Sequence, residues 1–156
     1  DKLAIYPFLG EQKIPYEKIE HPAVFNMERH YLPHPEWDAK NLFVRDDKKR
    51  NYYLITVKGD KRVDLKEFRR QHALRALSFA SAEDLLAVLG LIPGAVSPLG
   101  ILNDIERRVH VYLDREFAGS KIGVHPNDNT ATVWLQADDL LALLKQHGNE
   151  AVYTDL

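Results

Sequence analysis

Between Gly90 and Gly100 the chain reads Gly-Leu-Ile-Pro-Gly-Ala-Val-Ser-Pro-Leu-Gly, an apolar stretch broken by three glycines and two prolines. It can be neither an ordinary helix nor an ordinary strand. Gly90 follows the periodic segment Ser81 to Leu89, where a glycine C-cap is expected. Pro93 and Pro98 restrict φ, while Gly94 and Gly100 open backbone angles closed to other residues. A loop this apolar should be buried, yet its N–H and C=O groups still need partners. Two arrangements satisfy both demands: a structural turn packed on the core, or a rigid loop whose amides face a ligand.

Length and composition narrow the class. The 156 residues are enough for one domain with a substantial core, and residues 1–156 read as a single unit without linker, repeat or low-complexity tract. The absence of cysteine excludes disulfides, thiolate nucleophiles and cysteine-based zinc sites. No apolar run is long enough to span a bilayer and no secretory signal pattern opens the chain, so a cytoplasmic location is expected. The chain starts at Asp1, and a few further residues are expected before it. A formal net charge of −2 supplies no global attraction to nucleic acid, so any RNA contact must come from a local basic patch.

The coarse pattern is α+β. Asp1 to Gln12 reads as a helix and Tyr16 to Glu20 as a strand running into the His21-Pro22 break. A short helical piece is expected around Asn26 to Tyr31, ended by Pro33 and Pro35. Strands at Asn41 to Val44 and Tyr52 to Val57 flank the polar run Asp46 to Asn51, which suggests a hairpin. Asp64 to Leu74 is an amphipathic helix N-capped by Asp64, and Ser81-Ala82-Glu83-Asp84 resembles a capping box. Arg108 to Leu113, Lys121 to Val124 and Thr130 to Leu135 read as strands. Asp138 to His147 is a helix stopped by Gly148, and Val152 to Thr154 would close the sheet.

No catalytic triad is legible, and no Gly-x-Ser-x-Gly elbow is present. The seven histidines match no standard metal spacing; His30 and His34 are four apart, but Pro33 interrupts a regular helix between them. Three segments place polar groups beside apolar ones as a small pocket would. They are His21 to Met27, Lys40 to Val44, and Gly123 to Asn127. Lys40 suits a phosphate contact or a solvated strand end, and His125 suits a site or a purely structural role. Arg45 and the turn to Arg50, with Lys58, Lys61, Arg62, Lys66, Arg69 and Arg70, could contact an RNA backbone or form a solvated face.

Taken together and in order, five blocks carry a resemblance. They are His-Pro-Ala-Val-Phe from His21, Lys-Asn-Leu-Phe-Val-Arg-Asp from Lys40, Arg-Asn-Tyr-Tyr-Leu-Ile from Arg50, Gly-Ala-Val-Ser-Pro from Gly94, and Ile-Gly-Val-His-Pro from Ile122. The sequence resembles the family of the bacterial prolyl-tRNA synthetase editing domain and its free-standing relatives, and within it the deacylases of alanyl-tRNA(Pro). The resemblance covers nearly the whole chain. It implies a mixed, mostly antiparallel sheet curled into a barrel-like core flanked by helices. It also implies hydrolysis of a mischarged aminoacyl ester at the tRNA 3′ end, with no cofactor and no metal.

By the same resemblance, Lys40 holds the phosphate of the terminal adenosine, and the loop of Gly94, Ala95, Val96, Ser97 and Pro98 lies against the aminoacyl group. His125 shapes and gates the pocket, Asn41 and Ser97 form its polar lining, and Val24, Met27 and Leu32 its apolar wall. The expected partners are the acceptor end of tRNA(Pro) carrying alanine and, as a further candidate, prolyl-tRNA synthetase; no membrane is implied. An aminoacyl ester is already activated, so positioning and backbone N–H donors around Gly94 to Ser97, worth about 2.7–4 kcal/mol each, would suffice without a triad. His125 suits steric orientation better than base catalysis. The alternatives are a deacylase for cysteinyl or seryl esters, and a non-catalytic module that binds aminoacyl-tRNA.

Overall fold

The computed structural model describes residues 1–23 and 33–156, so the helical piece expected around Asn26 to Tyr31 lies outside the described residues. The elements in order are α1 (Lys2–Glu11), β1 (Tyr16–Glu20), β2 (Ala39–Asp46), β3 (Tyr52–Lys58), α2 (Leu65–Gln71), β4 (Leu77–Phe79) and α3 (Ala82–Leu89). They continue with β5 (Val109–Asp114), β6 (Lys121–Val124), β7 (Ala131–Gln136), α4 (Ala137–His147) and β8 (Ala151–Thr154).

Local chemistry sets the helix ends. Asp1, Asp64 and Ser81 cap α1, α2 and α3 by accepting from backbone N–H groups of the first turn, which satisfies donors that have no intrahelical partner. Gly90 and Gly148, both left-handed, close α3 and α4. The reciprocal half of the box at Ser81 is not made, because the Asp84 carboxylate accepts from Arg45 on β2 instead. That ion pair ties α3 to the sheet.

The expected mixed, mostly antiparallel arrangement is present as two sheets about a common core. One runs β1-β7-β6, antiparallel throughout; the other runs β4-β2-β3-β5-β8. In the second sheet β2 pairs antiparallel with β3 and β4, while β3–β5 and β5–β8 are parallel. Parallel neighbours need long crossovers, and the β3–β5 crossover carries α2, β4, α3 and the whole Gly90 to Gly100 segment. Alternation on β2 and β3 sends Phe43, Leu54 and Tyr52 to the main core with Leu99, Ile122, Val133 and Leu140. The opposite face, through Val44, Tyr53, Ile55 and Val57, packs on Phe68 of α2. Among the described residues no helix is long and apolar enough to cross a membrane.

Candidate functional site

β2 pairs with β4 only from Val44 onward, so its first residues form an open edge. β6 and the loop after it approach there and leave an open cleft of about 290 Å³, its mouth included, lined by Asp38, Ala39, Asn41, Gly123, Val124, His125 and Thr132. Among the described residues no group of three or more histidines or carboxylates is arranged to hold a metal ion.

The Gly90 to Gly100 segment is pinned beside this cleft. Ala95 N–H donates to the Ile92 carbonyl at 3.1 Å, closing a turn with Pro93 and Gly94 at its centre. Gly94 has φ +90°, the left-handed value that such a turn demands after proline. Asn41 then holds the loop: its Nδ2 donates to the Val96 carbonyl at 3.3 Å while its Oδ1 accepts from Thr56 Oγ1 at 2.6 Å. Ser97 is fully buried; its hydroxyl donates to the His125 carbonyl at 2.5 Å and accepts from Leu99 N–H at 3.2 Å. Pro98, also buried, opens the 3-10 turn Pro98–Asn103. Asn41, Val96, Ser97 and His125 are therefore one connected unit.

The oxyanion donors expected around Gly94 to Ser97 need one correction. The Ala95 N–H is committed to Ile92 inside the turn and is not available to a ligand. Among the described residues nothing accepts from the N–H groups of Val96 and Ser97.

His125 is nearly buried, and its Nδ1 lies 3.0 Å from the Ala131 carbonyl oxygen. A carbonyl only accepts, so Nδ1 carries the proton and the ring is fixed in orientation. The loop that follows is braced by Asp128, which accepts from the Thr130 hydroxyl at 2.5 Å and from its N–H at 2.8 Å. The Thr130 hydroxyl holds the Asp128 carboxyl below the usual carboxylate range; burial opposes, and the Thr130 N–H and Lys2 reinforce. Gly123 is required where it stands. A Cβ there would come within 2.9 Å of Trp134 Nε1 and 3.4 Å of the Trp37 carbonyl oxygen.

Lys40 is placed differently from its neighbour Asn41. Alternation puts it on the other face of β2, with Leu42 and Val44, outside the cleft lining. Its Nζ donates to the Lys61 carbonyl at 3.3 Å. Lys61 itself is neutralised by Asp114 at 2.8 Å and by Glu116. The basic turn at the far end of β2 does not join this group. Five residues of strand, about 17 Å, separate Lys40 from Arg45, which is paired with Asp84, while Asp47 in the turn is paired with Arg75.

Val24, Met27 and Leu32, expected as the apolar wall, lie outside the described residues. Asp38, Ala39 and Thr132 line the cleft without having been picked from the sequence, whereas Gly123 and Val124 fall in the Gly123 to Asn127 segment read there as pocket-forming. The Ile122 to Pro126 block pointed at Gly123 and Val124. The strand reading of Thr130 to Leu135 covered Thr132 but did not single it out.

Comparison with known proteins bears on this arrangement. The aminoacyl-tRNA editing domain family matches residues 24–143. The prolyl-tRNA editing protein ProX of Acetoanaerobium sticklandii is 42% identical over 152 residues, covering 95% of this chain and 93% of its own. The prolyl-tRNA synthetase associated domain-containing protein 1 of Mus musculus is 33% identical over 153 residues, covering 92% and 89%. A solved structure described as a candidate trans-editing enzyme for prolyl tRNA synthetase superposes with a TM-score of 0.69 at 23% identity, over 90% of this chain and 85% of that one, a likeness of fold.

Proposed function

Because this chain belongs to the aminoacyl-tRNA editing domain family and is thereby an aminoacyl-tRNA deacylase, we propose that it acts in trans on mischarged tRNA(Pro) and that alanine is the group it removes. The whole of residues 1–156 would act as one editing domain, in the cytoplasm where tRNA is charged. Prolyl-tRNA synthetase is the source of the mischarged substrate and the natural protein partner.

The observation that carries this reading is the unit of Asn41, Val96, Ser97 and His125 beside the open edge of β2. An ester carbonyl seated there would meet the N–H groups of Val96 and Ser97, which would stabilise the oxyanion as it forms. Lys40, next to Asn41 on the open end of β2, would take the terminal phosphate as a point charge and fix the ester's attitude. The methyl of alanine would enter the cleft beside His125. Proline would be excluded by size. A synthetase pocket built for proline discriminates poorly against smaller groups, since a missing methylene is worth only about 1–3 kcal/mol, so a smaller second sieve is needed.

The test is deacylation of tRNA(Pro) charged separately with alanine, cysteine, serine and proline. Rapid loss of alanine with proline retained supports the proposal. Faster loss of cysteine or serine transfers the same chemistry to another acyl group, and no hydrolysis of any ester leaves a binding module.

A further inference from the structure

A second histidine stands beside the cleft. His21, just beyond the end of β1, is held at three atoms. Its backbone N–H donates to the Thr130 carbonyl at 2.9 Å, its Nδ1 lies 2.8 Å from the Pro22 carbonyl oxygen, and its Nε2 lies 2.9 Å from Thr132 Oγ1. The carbonyl only accepts, so in the neutral ring Nδ1 carries the proton and Nε2 is an acceptor. The hydroxyl proton of Thr132 is thereby committed to His21. Thr132 is 6% exposed and lines the cleft. With its proton given to His21, its oxygen offers lone pairs to whatever occupies the space beside His125, whose ring centroid is 6.3 Å from that of His21.

We infer that Thr132 and His21 form the proton relay of the hydrolytic step. The relay rests on the deacylase reading above, though not on the identity of the acyl group. Water in the cleft donates to Thr132 Oγ1. As the water oxygen bonds to the ester carbonyl carbon, its proton passes to Thr132 and the Thr132 hydroxyl proton passes to His21 Nε2. The ring becomes an imidazolium whose Nδ1–H is still held by the Pro22 carbonyl. When the tetrahedral intermediate collapses, the bond from the carbonyl carbon to the ribose oxygen breaks. The proton then returns from His21 through Thr132 to that oxygen, releasing the free amino acid and a ribose hydroxyl. Thr132 is the residue that touches the reacting water, and His21 is a positioning and proton-holding residue acting through it.

The experiment measures kcat and KM on whichever aminoacyl-tRNA(Pro) the wild type cleaves fastest, for Thr132→Ser, Thr132→Val, His21→Gln and His21→Ala. Affinity for an alanyl-tRNA(Pro) analogue with a non-hydrolysable 3′-amide link serves as the folding and binding check. Proton transfer of this kind is worth about 10²–10⁴-fold, so Thr132→Val and His21→Ala should lose at least about 10²-fold in kcat with KM within about twofold. Thr132→Ser should stay within about threefold of wild type. His21→Gln keeps an acceptor near the Nε2 position but cannot hold the proton, and should fall between. Wild-type kcat in Thr132→Val, equal losses in Thr132→Ser and Thr132→Val, or full activity in His21→Gln would each overturn the relay. If His21→Ala fails to bind the analogue, Thr132→Val against Thr132→Ser decides. A wild type that prefers another ester defeats the alanine assignment and leaves the relay to be tested on that ester; one that cleaves none defeats both.

Discussion

The Ser97 hydroxyl and the His125 main-chain carbonyl, 28 residues apart in sequence, are joined by a 2.5 Å hydrogen bond inside the protein. The bond makes the loop and the histidine strand share one position. Ser97→Ala leaves a buried carbonyl without its donor, which costs about 1–3 kcal/mol. We expect that loss in chemical denaturation, with kcat/KM for alanyl-tRNA(Pro) falling by more than the stability change alone would produce at assay temperature. Equal activity in wild type and variant would separate the loop from the chemistry.

Lys40 is proposed to act through charge. On that proposal Lys40→Ala is expected to reduce kcat/KM by about 10²-fold or more, since positioning of the ester would depend on the phosphate contact. The fold should be unaffected, because among the described residues Nζ makes only a long bond to the Lys61 carbonyl. A deacylation assay alongside thermal unfolding separates the two effects, and full turnover in the variant would remove Lys40 from the mechanism.

His125 sets size. Its ring is fixed through Nδ1 to the Ala131 carbonyl, so truncation opens the cleft without releasing the strand. For His125→Ala the ratio of prolyl to alanyl hydrolysis should rise by about 10-fold or more, the scale of a methylene-sized discrimination. Parallel assays with the two charged tRNAs measure it. An unchanged ratio would move the sieve elsewhere, with Met27 the next position to truncate.

Gly123 admits no side chain without displacing Trp134. Gly123→Ala overpacks a buried site and should cost about 1–3 kcal/mol. The indole of Trp134, 1% exposed, reports the disturbance directly through its fluorescence. Wild-type stability and an unshifted emission would show that the strands part without strain.

Asp128 gives the pH dependence its sign. Its carboxyl is held below the usual range, chiefly by the Thr130 hydroxyl, so the folded state binds its proton less readily than the unfolded chain does. Its contribution is present above the unfolded value of about 3.9 and disappears as pH falls through the lower folded value. Asp128→Asn should therefore be less stable than wild type at pH 7, with the gap narrowing below about pH 4. Denaturant midpoints measured from pH 7 to pH 2.5 test this, and a constant gap would assign the effect to geometry.

Much of the fold could be read from local chemistry. β1 and β6 begin and end where alternation placed them, and the caps at Asp64, Ser81, Gly90 and Gly148 mark real helix ends. β2 extends two residues beyond the apolar run at each end, because its polar flanks Ala39-Lys40 and Arg45-Asp46 are a cleft edge and a turn-capping end. β4 escaped notice since three residues, Leu77 to Phe79, are too few for alternation to speak. The loop, Asn41, Ser97 and His125 were recognisable as blocks. That Thr56 steadies Asn41, that Thr132 meets His21, or that Lys40 faces away from Asn41 depends on pairing across strands. Windows along the chain do not contain that information.

The crossover between the parallel strands β3 and β5 has a consequence for the newborn protein. The loop from Gly94 to Pro98 lies within that connection, while its partner His125 and the cleft residue Thr132 follow later in the chain. A ribosome making this polypeptide delivers the first wall of the cleft long before the last. Until synthesis has passed β7, the emerging chain lacks Gly123, Val124, His125 and Thr132 together, and the cleft they line cannot exist while the ribosome is still short of that strand.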